Sequence, residues 1–95
     1  MREYGEARQN YQLALAINIE FGDRYFQSFI HNNLGYLAAS ENNLTEAAQN
    51  LLQALKIFFQ FQDRHNMEKV VNSLSRIYQA TQDRTGALPL QPIIF

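Results

Sequence analysis

The chain carries one segment twice, forty residues apart. Laying residues 6–24 on residues 46–64 matches Glu6 with Glu46, Ala7 with Ala47, Gln9 with Gln49, Asn10 with Asn50 and Ala14 with Ala54. It also matches Leu15 with Leu55, Ile17 with Ile57, Phe21 with Phe61, Asp23 with Asp63 and Arg24 with Arg64, ten identities in nineteen positions without a gap. Self-similarity at this period marks a repeat architecture, in which each unit buries its apolar face against its neighbours. The later copy belongs to the stretch Leu44 to Asp63, where Ala47, Leu51, Ala54, Leu55 and Phe58 recur at the three-and-four spacing of one helical face.

The rest of the chain reads as helices in series. Residues 3–21 give the first, with Ala7, Tyr11, Ala14, Leu15 and Asn18 on its inner face; Gly22 stops it and Asp23 caps the next. The second spans 24–41, with an apolar stripe of Phe26, Ile30, Leu34, Leu37 and Ala38. Gly35 lies inside that helix, where it costs about 1 kcal/mol relative to alanine, so another backbone is expected to pass close. Asn42 and Asn43 form a turn, and Asn43 with Glu46 has the spacing of a capping box. The third helix ends at Gln62, where the earlier copy has glycine, and a fourth is expected over 64–81 with Val70, Leu74, Ile77 and Tyr78 inward. Ser75 stands forty residues after Gly35, which predicts a second tight crossing. Thr85, Gly86, Ala87 and Leu88 look like the start of a third copy of the Leu44 helix, which Pro89 and Pro92 then interrupt.

Composition narrows the function. Eight basic and nine acidic residues are scattered, with no basic run to neutralise phosphates, which argues against nucleic acid as a partner. There is no cysteine, no signal-peptide pattern and no apolar run of membrane-spanning length, which points to a cytoplasmic chain that does not enter membrane. Nothing resembles a catalytic triad, a phosphate-binding loop or a paired-carboxylate site, and His31 and His65 lack acidic or thiol neighbours at ligand spacing. A non-catalytic protein with no cofactor and no metal is the expectation.

The repeat resembles the tetratricopeptide repeat (TPR) in its long-period bacterial form. Asn33, Leu34 and Gly35 fit the first helix of a hairpin; Ala47, Leu51 and Ala54 fit the second. Leu74, Ser75, Tyr78 and Ala87 fit the next unit, and Ala7, Tyr11 and Ala14 the preceding one. His31 and Val71 stand where the family has tryptophan, and the forty-residue period implies helices longer than those of the usual repeat of about 34 residues. The resemblance implies an all-α, right-handed solenoid segment: the second helix of one repeat at 3–22, a complete repeat at 23–62, a partial repeat at 63–88, and an irregular tail at 89–95. It also implies a piece of a longer array.

By the same resemblance the first helix of each hairpin lines a concave groove. The groove face then carries Phe29, Asn32, Tyr36 and Ser40 from one unit and Lys69, Asn72, Arg76 and Gln79 from the next. Lys69, Asn72 and Arg76 stand three and four apart and share a helical face. Cations flanked by amides suit a carboxylate on a peptide or protein partner; the plainer alternative is a solvated helix surface. Phe58, Phe59 and Phe61 cannot all face one way, so at least one either packs on a neighbouring repeat or forms a patch for self-association. The functional expectation is a scaffold for protein–protein interaction; the alternatives are self-assembly through open solenoid ends and a fragment of a larger regulatory protein.

Overall fold

The computed structural model describes residues 2–20 and 22–85. They form four α-helices: α1 (Arg2–Glu20), α2 (Arg24–Ser40), α3 (Leu44–Gln60) and α4 (Arg64–Thr85). Tight turns reverse the chain, and each helix packs on its successor: α1 on α2, α2 on α3, α3 on α4. The described residues are thus all-α. α4 runs four residues beyond the expected 81 and includes Thr85. Gly86, Ala87, Leu88 and the tail at 89–95 lie outside the described residues.

The three turns are built alike, at twenty-residue intervals. Gly22, Asn42 and Gln62 take left-handed backbone, with φ of 73°, 68° and 57°. Their N–H groups donate to Ile19, Ala39 and Phe59, at 3.2, 3.0 and 3.0 Å. The next N–H groups, of Asp23, Asn43 and Asp63, reach back to Asn18, Ala38 and Phe58, at 2.8, 2.8 and 2.9 Å. This is the Schellman pattern, which satisfies the last carbonyls of a helix. The same three residues then cap the helix that follows. Asp23, Asn43 and Asp63 accept through their side chains from the backbone N–H groups of Phe26, Glu46 and Asn66 respectively, at 3.1, 3.2 and 3.2 Å. The glycine absent at residue 62 is therefore replaced by a glutamine held in the same conformation, at a cost of roughly 1 kcal/mol. The capping box closes one way only. Asn43 N–H is already bonded to Ala38, and the Glu46 carboxylate turns instead to Arg8 on α1, over 2.8 Å.

α3 is the centre of the core. Ala47, Ala48, Leu51, Ala54, Leu55, Ile57 and Phe58 are all buried along it. They meet Ala38 from α2 and Val70, Leu74, Ile77 and Tyr78 from α4. The close approach at Gly35 is real: a Cβ there would lie 2.8 Å from Leu51 Cγ and 3.3 Å from the Ala47 carbonyl oxygen. Ser75 does not repeat it. It is exposed, and its hydroxyl donates to the Val71 carbonyl of its own helix, because no described helix crosses α4 there. The phenylalanines divide. Phe58 is buried, edge-on to Phe29 at 5.2 Å and to Tyr25 at 6.1 Å, whereas Phe59 and Phe61 are about half exposed.

α1 is held along one stripe. Ala7, Tyr11, Ala14 and Leu15 are half-buried, while Leu13, Ile17 and Ile19 stand exposed. Ile17 keeps 46% of its surface open, against 2% for its repeat counterpart Ile57. No helix among the described residues is long and apolar enough to cross a membrane.

Candidate functional site

One side-chain contact links α2 to α4 across the end of the core. The Tyr36 hydroxyl lies 3.1 Å from Ser73 Oγ, and Ser73 in turn donates to the Lys69 carbonyl at 3.2 Å. Lys69 and Arg76 flank Ser73 by one helical turn on either side, so both cations share its face. Tyr36, Lys69 and Arg76 are exposed. Ser40 belongs to the same end of α2, its hydroxyl bonded to the Tyr36 carbonyl at 3.0 Å.

The other expected groove residues are placed differently. Phe29 is not a free anchor: it is half-buried, with Tyr25 edge-on at 5.3 Å and Phe58 at 5.2 Å, and its ring belongs to the core margin. Asn32 is half-buried, and its Oδ1 is sealed from solvent with no hydrogen-bond partner among the described residues. Asn72 is exposed but lines a second groove, beside Val71 and Met67. Gln79 is exposed one turn beyond Ser75. His31 is half-buried, with Nδ1 3.1 Å from Asn50 Oδ1, and works as a polar pin between α2 and α3.

That second groove encloses about 910 Å³ between the end of α3 and the start of α4. Phe59, Arg64, Met67, Glu68 and Val71 contribute to its walls.

Two polar clusters tie neighbouring units together, and neither was legible as a site. Arg8 forks between Glu46 and Glu41, and these hydrogen bonds, Glu46 first, raise its affinity for the proton further. Asp63 accepts from the Tyr25 hydroxyl and from both backbone and side chain of Asn66. The Tyr25 bond, then Asn66, hold the Asp63 carboxyl below its usual range, and the same bond to Asp63 pushes the Tyr25 phenol up. A signal for these pairs did exist. Arg8–Glu46, Tyr25–Asp63 and Tyr36–Ser73 are separated by 38, 38 and 37 residues, close to one repeat. Among the described residues no group of three His, Asp or Glu side chains is arranged to hold a metal.

Antiparallel helices in series, joined by matching turns and presenting a polar face with two cations, make this an all-α protein of helical hairpins. No protein-family model, curated protein or solved structure matches the chain.

Proposed function

We propose that this chain is a TPR-like scaffold, a segment of an α-solenoid that binds a peptide or protein through the α2–α4 face and performs no catalysis. The internal repeat supports the solenoid reading. So does the reach of side chains from α1 to α3 and from α2 to α4, which is compatible with stacked hairpins. One observation carries the binding reading: the Tyr36–Ser73 contact sets an aromatic ring beside the turn of α4 that holds Lys69 and Arg76. A partner carboxylate engages the cations while an apolar side chain lies on the Tyr36 ring.

The test is fluorescence anisotropy with labelled peptides bearing an acidic or free-carboxylate end. Hydrogen bonds to charged groups contribute about 1.5–3 kcal/mol, so Lys69→Ala with Arg76→Ala should weaken binding at least about tenfold. Added salt should weaken it as well. Failure to bind any such peptide, or affinity indifferent to both substitutions, sinks the reading. A second reading, self-association, is favoured by the exposure of Leu13, Ile17 and Ile19 on α1.

A further inference from the structure

The groove at the start of α4 has a counterpart one repeat earlier, and α3 covers part of that counterpart. Moving Phe59, Arg64, Met67, Glu68 and Val71 back by forty residues gives Ile19, Arg24, Gln27, Ser28 and His31. Gln27 and Ser28 are buried and His31 is half-buried, while Ile19 and Arg24 at the outer edge stay exposed. α3 supplies partners there: Asn50 meets His31, and Arg24 Nε donates to Gln60 Oε1 at 3.0 Å. The earlier groove is thus the seat of α3. The later one is the same seat, built from α4.

Among the described residues one other helix is made like α3, and that helix is α1. It repeats α3 along its length, and it exposes the residue, Ile17, whose counterpart Ile57 α3 buries. Register makes the fit specific. In the seated α3, Gln60 pairs with Arg24. In α1 the residue at that place is Glu20, and in the later groove the arginine is Arg64. A neutral hydrogen bond becomes a charge-assisted one. Ile17 would bury against a groove whose walls include Met67 and Val71.

We infer that α1 of a second copy of this chain occupies the α4 groove, so that copies join head to tail, with Glu20 of one facing Arg64 of the next. The contact uses different surfaces on the two copies. Repetition then extends it into an open chain and does not stop at a dimer. The inference rests on the stacked-hairpin reading but not on peptide binding by the Tyr36 face. Lys69→Ala with Arg76→Ala leaves assembly intact, and a charge reversal at Arg64 leaves peptide binding intact, so the two can fail separately.

The experiment is sedimentation of the full chain from low micromolar to millimolar concentration. The weight-average mass should rise above the 11.0 kDa of one copy and pass that of a dimer. Ile17→Glu should return the chain to monomer. Glu20→Arg and Arg64→Glu should each weaken association at least tenfold, and the two together should restore it. Both reversals suit the helix ends they occupy, so neither should unfold the chain; circular dichroism checks this. A helical monomer at every concentration overturns the inference. So does association that ignores Ile17→Glu or that the paired reversal fails to rescue. A photo-crosslinker at Val71 that joins residues 86–95 of the same copy, and never α1 of another, also overturns it.

Discussion

Two glycines in helices make a paired experiment. In an open helix, Gly→Ala stabilises by about 1 kcal/mol, through backbone entropy and helix propensity. Gly5 on α1 is such a site: beyond its chain neighbours and its own helix backbone, no described atom comes within 4 Å of a Cβ added there. Gly35 on α2 is the opposite. Its new Cβ would stand 2.8 Å from Leu51 Cγ, 3.0 Å from Leu51 Cδ2 and 3.3 Å from the Ala47 carbonyl oxygen, all on α3. Leu51 is completely buried and Cγ is its branch point, so relief means moving the whole side chain or parting the two helices. Overpacking of this kind costs about 1–3 kcal/mol, which exceeds the propensity gain. Gly35→Ala should therefore destabilise by roughly 1 kcal/mol net, and Gly5→Ala should stabilise by up to about 1.

Thermal melts followed by circular dichroism read both variants. For a domain of this size 1 kcal/mol moves Tm by about 4–8 °C, so the two should shift in opposite directions. A double-mutant cycle adds the cause. Leu51→Ala alone should cost about 2–5 kcal/mol as a cavity, but in the Gly35→Ala background it should cost at least 1 less, because the new methyl occupies part of the space. If Gly35→Ala raised Tm as Gly5→Ala does, or if the cycle closed without coupling, the tight α2–α3 crossing would be wrong.

Other outcomes follow from the turns and their polar ties. Gln62→Gly relieves a left-handed non-glycine residue and should raise stability by about 0.5–1 kcal/mol in chemical denaturation. Asp63→Ala removes the α4 cap together with the Tyr25 and Asn66 bonds, and hydrogen exchange should quicken first across residues 64–67. The Asp63 carboxyl is held below its ordinary 3.8, so its contribution is present at neutral pH and is lost as pH falls below that value; Tyr25→Phe should narrow the acid loss. At the alkaline end, the Asp63 bond raises the Tyr25 phenol and burial raises that of Tyr78, both above 10.0. Stability should then fall as pH rises past 10.0, with tyrosinate absorbance appearing late in the folded chain.

The helices and turns were legible because they are local. Asp23, Asn43 and Asp63 carry their capping chemistry in the residue type, and the forty-residue register aligns two of them. Gly35 was legible because a mid-helix glycine is a cost that packing has to offset. Gln62 was not, since nothing in glutamine announces a left-handed backbone; the repeat alone marks the position. The candidate face was read less well. Phe29 and Asn32 have the spacing of surface residues, yet the width of the aromatic cluster under α2 draws the first into the core margin, and the neighbouring helices half-cover the second. Glu46 was misread for a related reason. Its local role as a reciprocal cap lost to a cation 38 residues away, and such competition is decided by tertiary distance, which a single sequence does not carry. Ser75 matched Gly35 in size, but a small residue makes a close crossing only where a helix comes to cross it.

The matching turns bear on how the chain yields to force and to proteases. At each elbow the N–H of the left-handed residue and of the capping residue is already bonded. Three residues connect one helix to the next, with little slack to straighten. Tension along such a chain loads the helix ends and the sliding contacts between helices before it opens an elbow. For a protease, the elbows offer exposed side chains on backbone that is not free to adopt the extended form cleavage requires. Cutting should therefore follow the rate at which whole helices lift from their neighbours, beginning with α1, whose outer apolar residues no described helix covers.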